Sequence, residues 1–589
     1  MSKQHGGSIV GERLKAQGVT HIFTLCGGHI SPLLVGAQDQ GVQVVDVRHE
    51  ASAAFAADAM SRMTGIPGVV AVTAGPGVTN TVTAVKNAQM AEVPMIIFGG
   101  ATATILKGRG SLQDIDQLSI MTPITKWATR VTSVAAIAPT IDHAFEVATR
   151  GVPGPVFIEL PVDLLYPEET VKQWYMDESG VKKMKGPAKV AVELALKGHL
   201  ARIFRAPYID VLDAKLAPQM ASEIARQPIN NAKLSQLDEA LVGAEKPVLI
   251  VGSQAVSSMT PHQAQELANA ITELGIPTFL GGSARGLLGQ HSDIQFRHKR
   301  SAALKEADLV LVAGFPFDFR LGYGQKINRK ATLISVNLDS TALKKNRRPQ
   351  IAIQDHPGHL LTTLPQRVTL GKSRYDSWFG RLRERETMRD EEIAALGTPN
   401  KEAVNPINFF LKLEEQLADD SVLVVDGGDF VATGAYIVRP RKPLSWLDPG
   451  VFGTLGVGGG FALGAASARP DAETWIIWGD GSSAYSLAEF DAYVRQGMAP
   501  IAVVGTDASW AQIARDQVEI LGTPLGTELR QTDYQDVAKG YGGEGILVKH
   551  DGQIDAAIKK AKKLAQQGKP VLINLLLAKS DFRKGSLSI

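Results

Sequence analysis

Short β-branched runs, each closed by a glycine turn and followed by a helix-like stretch, recur along this chain and restrict it to an α/β architecture built on parallel sheets. "VQVVDVRHE", "GVVAVTAGPGVTN" and "VPMIIFGG" set the rhythm in the first part. Runs this apolar suit strands buried on both faces, and parallel neighbours need a crossover rather than a tight hairpin. "GPVFIELPVDLLYP" closes the series with prolines, so a first domain is expected over residues 1–175. Residues 176–240 turn polar and Lys-rich and read as a helical connection. "KPVLIVGSQAV", "GIPTFLGG", "ADLVLVAGF" and "TLISVNLD" begin the rhythm again and predict a central domain over 241–370. The charged stretch "WFGRLRERETMRDEEIAALG" reads as an exposed helix in a linker at 371–400, with a solvated face rather than a binding site. "SVLVVDGGDF", "TWIIWGDGSSAYS", "IAVVGTDASW" and "PVLINLLL" predict a third domain over 401–589. The expected fold class is therefore three consecutive doubly wound, parallel-sheet α/β domains, an architecture that by itself leaves function open.

Length agrees, since 589 residues exceed what one hydrophobic core organises. Hydrophobic residues at 44% and charged ones at 21% supply ordinary globular cores. A formal charge of +2 provides no general attraction to nucleic acid or to an anionic membrane, although a local basic pocket could still grip a phosphorylated ligand. The single cysteine, Cys26, rules out an internal disulfide or a multi-cysteine metal site and suits a reducing compartment; it is expected as a small buried side chain. The first residues lack the apolar stretch of a secretory signal, and no later segment resembles a membrane helix. The one long uncharged run, Val451 to Ala468, holds six glycines and reads as phosphate-loop and helix-packing text. A cytoplasmic protein without membrane or nucleic-acid partners is expected.

The chemistry concentrates in "WIIWGDGSS", where an apolar strand delivers Gly479, Asp480 and Gly481 to its carboxyl end, the edge at which open α/β sheets bind ligands. Glycines let the backbone approach a diphosphate, and Asp480 offers an anionic oxygen to a hard cation such as Mg²⁺. A helical stretch and a second strand, "IAVVGTD", return the chain to the same edge with Asp507, 27 residues later. Asp480 and Asp507 can then share one cation, with the Ser509 backbone carbonyl as a third oxygen. The same aspartates also suit turn and helix caps, and spacing alone does not separate the two readings.

The segment "GDGSSAYSLAEFDAYVRQGMAPIAVVGTDASW" resembles the thiamine-diphosphate-binding motif of the acetolactate synthase and pyruvate decarboxylase superfamily. It departs where that family usually has two asparagines and this chain has Thr506 and Asp507, a change that adds negative charge at the cation. "VVDVRHEASAAFAADAMSRMTG", "AVTAGPGVTNTVTAVKNAQMAEVPMI", "GPVFIELPVD" and "FGTLGVGGGFALGA" resemble the same superfamily in the same order. Within it, "TLCGGHISPLL", "FLGGSARGLLG", "WLDPGVFGTLGVG" and the terminal "DFRKGS" resemble the 2-hydroxyacyl-CoA lyase branch more than true acetolactate synthases.

The resemblance implies a thiamine diphosphate and Mg²⁺ enzyme that reversibly cleaves a 2-hydroxyacyl-CoA to formyl-CoA and an aldehyde or ketone. Glu50 takes the place of the carboxyl group that hydrogen-bonds the aminopyrimidine and activates the cofactor. His29 and Gln113 are implied near the reacting carbon, His29 to exchange a proton and Gln113 to hydrogen-bond an alkoxide; for His29 a structural histidine is the competing reading. Leu455 matches the apolar wedge between the cofactor rings, with ordinary core packing as the alternative, and the Gly453 carbonyl matches the acceptor for the 4′-amino group. Gly427, Gly428, Asp429, Gly479, Gly481, Ser482 and Ser483 complete the implied cofactor contacts. The central domain is implied to take the ADP or CoA moiety, with Ser283 and Arg285 either as contacts or as loop caps, while FAD is not expected. The tail "KSDFRKGSLSI" either folds over the site or frays. A homodimer at least, and a homotetramer by preference, is implied. The alternatives are an acetolactate-synthase-type carboligase and a catalytically retired member of the fold that serves in binding or assembly. Against the synthase, Leu112 precedes Gln113 where synthases have an aromatic residue.

Overall fold

The structure is a computed structural model that describes residues 5–204, 231–370 and 372–584. The middle of the 176–240 connection and the last five residues of the tail lie outside the described residues. The chain gathers into two compact units, Met1–Ser61 with Ile66–Ile224, and Ala225–Ile589 with the short piece Arg62–Gly65.

The first unit is built on a six-stranded sheet of β1 (His21–Leu25), β2 (Gln43–Asp46), β3 (Gly68–Val72), β4 (Met95–Ala101), β5 (Trp127–Arg130) and β6 (Pro155–Pro161). All pairs are parallel, in the order β2-β1-β3-β4-β6-β5. Every residue of β3, β4 and β6 is buried, which requires cover on both faces and explains why these runs lack the polar alternation of a half-exposed strand. Beyond the sheet, the helix Gly186–Phe204 sends Leu196, Leu200 and Ile203 into the same core. Its His199 Nε2 lies 2.9 Å from Thr104 Oγ1, and the Tyr175 hydroxyl donates to the buried Asp163 carboxylate at 2.5 Å.

In the second unit, β7 (Pro247–Val251), β8 (Thr278–Leu280), β9 (Leu309–Ala313), β10 (Thr332–Asn337) and β11 (Ile351–Gln354) form a parallel sheet in the order β11-β10-β9-β7-β8. The helix Asp376–Leu396 then presents most of its charges to solvent while burying Trp378, Phe379, Leu382 and Ile393. It is not only a solvated face, because its Glu386 carboxylate accepts the backbone N–H groups of Arg297 and His298.

The last sheet comprises β12 (Val422–Asp426), β13 (Trp446–Leu447), β14 (Thr474–Gly479), β15 (Ile501–Thr506), β16 (Glu544–Val548) and β17 (Val571–Leu576). Its order, β13-β12-β14-β15-β17-β16, repeats that of the first sheet strand for strand. In both, the chain reverses direction across the sheet beside its first strand, between β1 and β3 and between β12 and β14. Such reversals open the crevices in which α/β proteins hold ligands. Three doubly wound parallel sheets are thus present. Cys26 is a correction to the sequence reading: β1 ends at Leu25, so Cys26 starts the loop at the carboxyl edge and is exposed rather than buried.

Candidate active site

At the crevice between β12 and β14 the backbones approach so closely that only glycine fits. Gly427 has φ +145°, and a Cβ there would lie 2.9 Å from the Gly479 backbone nitrogen. Gly481 is pressed against Trp510, whose ring would lie 2.5 Å from an added Cβ. The Ser482 hydroxyl donates to the carbonyls of Asp426 at 2.6 Å and Gly479 at 3.0 Å, and that of Ser483 to the Asp480 carbonyl at 2.8 Å. These two serines therefore spend their protons on shaping the turn. Gly428 packs against Gln512, and the Asp429 carboxylate is ion-paired to Arg515, which commits it to a protein partner.

Because β14 and β15 are neighbours with Gly479 opposite Gly505, Asp480 and Asp507 emerge from adjacent strand ends. Asp480 is buried and accepts the N–H groups of Gly481 and Ala508, both at 2.8 Å. Burial, with the neighbouring Asp507 charge second, raises its pKa to about 6. Asp507 is also raised by desolvation, and its Oδ1 accepts the Ser509 N–H at 3.1 Å. Ser509 bridges to Glu528, but the bonds of that bridge are made by Ala508 and Trp510 rather than by the Ser509 carbonyl. Two neighbouring carboxylates of raised proton affinity, one of them raised in part by the other's charge, form a site that a divalent cation would relieve. No group of three or more His, Cys, Asp or Glu side chains suited to a metal occurs among the described residues, so a cation here would complete its shell from backbone and ligand oxygens. The donor set fits Mg²⁺ shared with a diphosphate.

Past β13 the chain forms a glycine-rich loop. Gly453 and Gly456 are left-handed at φ +65° and +90°, and Leu455 stands half-buried between them. The residue that holds this loop escaped the sequence reading. Asp426, the last residue of β12, accepts the N–H groups of Gly456 at 3.1 Å and Gly458 at 2.9 Å, and the Trp478 indole N–H at 3.2 Å.

In the first unit, Glu50 opens the helix Glu50–Thr64 beyond β2 and is buried. Its Oε2 accepts from Asn80 Nδ2 at 2.9 Å, a partner supplied by the turn after β3. The same turn meets the other two expected residues. His29 Nδ1 lies 3.2 Å from Thr73 Oγ1, and a Cβ on Gly75 would lie 3.0 Å from that of Gln113. Burial lowers the His29 pKa, which favours the neutral imidazole. Gln113 is half-buried with φ +62°, a left-handed backbone uncommon for a residue with a side chain. The turn between Thr73 and Asn80 thus links Glu50, His29 and Gln113. It is itself anchored by Gln117, which accepts the Gly75 N–H at 2.8 Å and donates to the buried Glu159 at 2.9 Å. Asn80 and Gln117 were also missed, because a lone amide carries no spacing signal.

Of the residues expected to meet CoA, Ser283 donates its backbone N–H to Ser253 Oγ at 3.1 Å. Arg285 donates to the Ala435 carbonyl at 2.9 Å and lies 5.0 Å over the Trp446 ring. Arg285 nonetheless lines a cleft of about 640 Å³ together with Arg297, Lys299, Arg300, Arg389 and Tyr436. Burial, reinforced by Arg439 and Arg285, pushes Arg297 down to about 10. Its guanidinium donates to carbonyls at the end of the helix Asp429–Ile437, including Ile437 at 3.1 Å and Tyr436 at 2.9 Å. Through Lys584 the tail is packed: Phe582 sits between Arg389 and Tyr436 at 5.4 and 6.0 Å, and Arg515 donates to the Arg583 carbonyl at 3.1 Å. Tail residues, with Asp429, Asp507 and Ser509, wall a second cleft of about 530 Å³.

Three domain families match this chain: the thiamine pyrophosphate enzyme N-terminal TPP binding domain over residues 4–120, the central domain over 234–364 and the C-terminal TPP binding domain over 426–575. Over its whole length the chain is 46% identical to 2-hydroxyacyl-CoA lyase 2 of Danio rerio and 44% identical to that of Homo sapiens, covering 94% and 92% of those proteins. Similarity to a probable acetolactate synthase of Mycobacterium bovis is lower, 30% identity over 97% of the chain and 95% of that protein.

Proposed function

Because this chain belongs to the thiamine pyrophosphate enzyme family, we propose that it is a thiamine-diphosphate- and Mg²⁺-dependent 2-hydroxyacyl-CoA lyase, cleaving its substrate reversibly to formyl-CoA and an aldehyde or ketone. The observation that carries the reading is the Asp480 and Asp507 pair, two carboxylates of raised proton affinity above a glycine-only crevice, in a chain similar throughout to the lyases. Greater identity to the lyases than to the acetolactate synthase favours this reading over the carboligase.

When bound, thiamine diphosphate supplies the electron sink for breaking a carbon–carbon bond beside a carbonyl. Asp480, Asp507 and the Ser509 carbonyl would hold Mg²⁺, and Gly427, Gly428, Gly479 and Gly481 leave room for the diphosphate. Leu455 and the Gly453 carbonyl would set the cofactor's shape. Glu50, oriented by Asn80, holds or releases a proton at the aminopyrimidine. His29, whose neutral form is favoured by partial burial, can take a proton from a substrate hydroxyl, and Gln113 can donate a hydrogen bond to an alkoxide without adding charge. The arginine-lined cleft suits the CoA phosphates, with Lys299 as its exposed cation; Arg285 and Arg297, engaged with backbone carbonyls, shape its wall. A homodimer or homotetramer in the cytoplasm is part of the proposal; among the described residues no helix is long and apolar enough to cross a membrane.

The test is mass spectrometry of purified protein with thiamine diphosphate, Mg²⁺ and a panel of 2-hydroxyacyl-CoAs. Formyl-CoA and an aldehyde or ketone in equal amounts are expected. Acetolactate formed from pyruvate, with no acyl-CoA cleaved, would replace this reading by the synthase.

A further inference from the structure

The helix Val457–Ala468 begins without a cap of its own, because its N-cap residue is Gly456. An uncapped start leaves backbone N–H groups unsatisfied, and at a buried site that is costly. The missing acceptor comes from another strand. Asp426 is fully buried at the end of β12, and its carboxylate receives the N–H groups of the cap residue Gly456 and of Gly458. Trp478 of β14 donates its indole N–H to the same Oδ2. The fit is tight, since a Cβ on Gly458 would lie 2.1 Å from the Trp478 indole nitrogen. The Asp426 carbonyl also takes the Ser482 hydroxyl, two residues past Asp480.

We propose that Asp426 is a positioning residue for the cofactor: it caps the helix Val457–Ala468 from a neighbouring strand and so fixes the Gly453–Gly456 loop relative to the Asp480 turn. The inference rests on the reading that this loop cradles thiamine diphosphate. Its physical basis is that one carboxylate, at the end of β12, joins the segment following β13 to Trp478 of β14 through N–H donors, to which only an acceptor can respond, while the carbonyl of the same residue holds Ser482 in the Asp480 turn. Burial raises Asp426 to about 7, and the same three N–H bonds oppose that shift by favouring the charged form. An asparagine of equal size would turn an amide N–H toward one of those donors and loosen the loop.

Full-length Asp426→Asn and Trp478→Phe are to be compared with wild type by titration with thiamine diphosphate at saturating Mg²⁺, by lyase kinetics at saturating cofactor, and by the thermal midpoint without cofactor. Asp426→Asn is expected to weaken thiamine diphosphate binding about tenfold or more and to lower kcat by a similar factor, while KM for the acyl-CoA stays within about twofold. Trp478→Phe removes one donor of three and is expected to move both readouts the same way by less. Wild-type affinity and kcat in both variants would overturn the proposal, and so would a lowered thermal midpoint with cofactor binding intact, the signature of a cap that only stabilises the fold. Should Asp426→Asn not fold, Trp478→Phe decides by the same criteria. A wild-type chain that binds no thiamine diphosphate would overturn the cofactor reading and this proposal with it, whereas binding that the variants leave unchanged overturns the positioning role alone.

Discussion

Asp480 and Asp507 make the stability of this protein depend on pH in a direction opposite to that of salt-bridged carboxylates. Both folded pKa values lie above the ordinary one, that of Asp480 at about 6, so at Asp480 the unfolded chain releases between about pH 4 and 6 a proton that the folded chain retains, and Asp507 acts in the same direction. The Asp480 contribution to stability therefore falls as pH rises through that window and stays low above about 6, and that of Asp507 falls with rising pH as well. Thermal melts of the cofactor-free protein should show this loss, Asp480→Asn should flatten it, and Mg²⁺ with thiamine diphosphate should restore more stability at pH 7 than at pH 5. At Glu50, exchange for Gln keeps the shape and the Asn80 contact but removes proton exchange. Lyase turnover should then fall by about 100-fold or more while Mg²⁺ and thiamine diphosphate still bind, a result that titration and kinetics on one sample can check. Residues with such roles were legible when a spacing or a motif announced them. The 27-residue interval between Asp480 and Asp507 is one crossover between neighbouring strands, which the pairing of β14 with β15 bears out. Asp426 gave no comparable signal, because its partners Gly456 and Gly458 lie some 30 residues away and the contact exists only after β12 and the helix Val457–Ala468 have packed.

Among the elements, the strands read most easily from the text were those buried on both faces. β3, β4, β7 and β9 are continuous apolar runs, β6 and β12 are apolar but for one carboxylate each, Glu159 and Asp426, and all six are buried from end to end. β5, β11, β13 and β16 were not picked out, and all four lie at sheet edges. One side of an edge strand lacks a neighbour, so an edge strand is often mixed in sequence or short: every residue of β5 is partly exposed, and β13, though buried, is only two residues long. β1 was missed for another reason, its apolar run being only Ile22 and Phe23 between His21 and Thr24. The turns between elements are where substitution should be most revealing. Gly427→Ala places a methyl group 2.9 Å from a backbone nitrogen at φ +145°, where no side chain can move aside. We expect a loss of about 1–3 kcal/mol in stability by denaturant titration, with loss of thiamine diphosphate binding in the fraction that folds.

For the molecule as a whole, the tail is the feature whose place no local pattern could announce. Leu577 and Ala578 extend the last strand by hydrogen bonds to Thr506 and Val404, and Phe582 then reaches Tyr436 and Arg389. Truncation after Leu577 removes a wall of the Asp507 cleft and should lower lyase turnover about tenfold or more, measured as formyl-CoA release. Lys299→Ala, in the arginine-lined cleft, should raise KM for acyl-CoA several-fold with little change in kcat, and the effect should shrink at high salt. Alternation of apolar runs with glycine turns determined the three parallel α/β sheets, because buried strands and their crossovers are encoded within windows of a few dozen residues. Motif likewise determined the family, and spacing the return of Asp507 to the strand end beside Asp480. Tertiary structure alone decided which side chains those residues meet: Asn80 on Glu50, Arg515 on Asp429, the Ala435 carbonyl on Arg285, and Asp426 beneath the glycine-rich loop. Each of these contacts joins segments distant along the chain, and in a buried site a polar group takes whichever partner packing brings within about 3 Å, which no local stretch of sequence records.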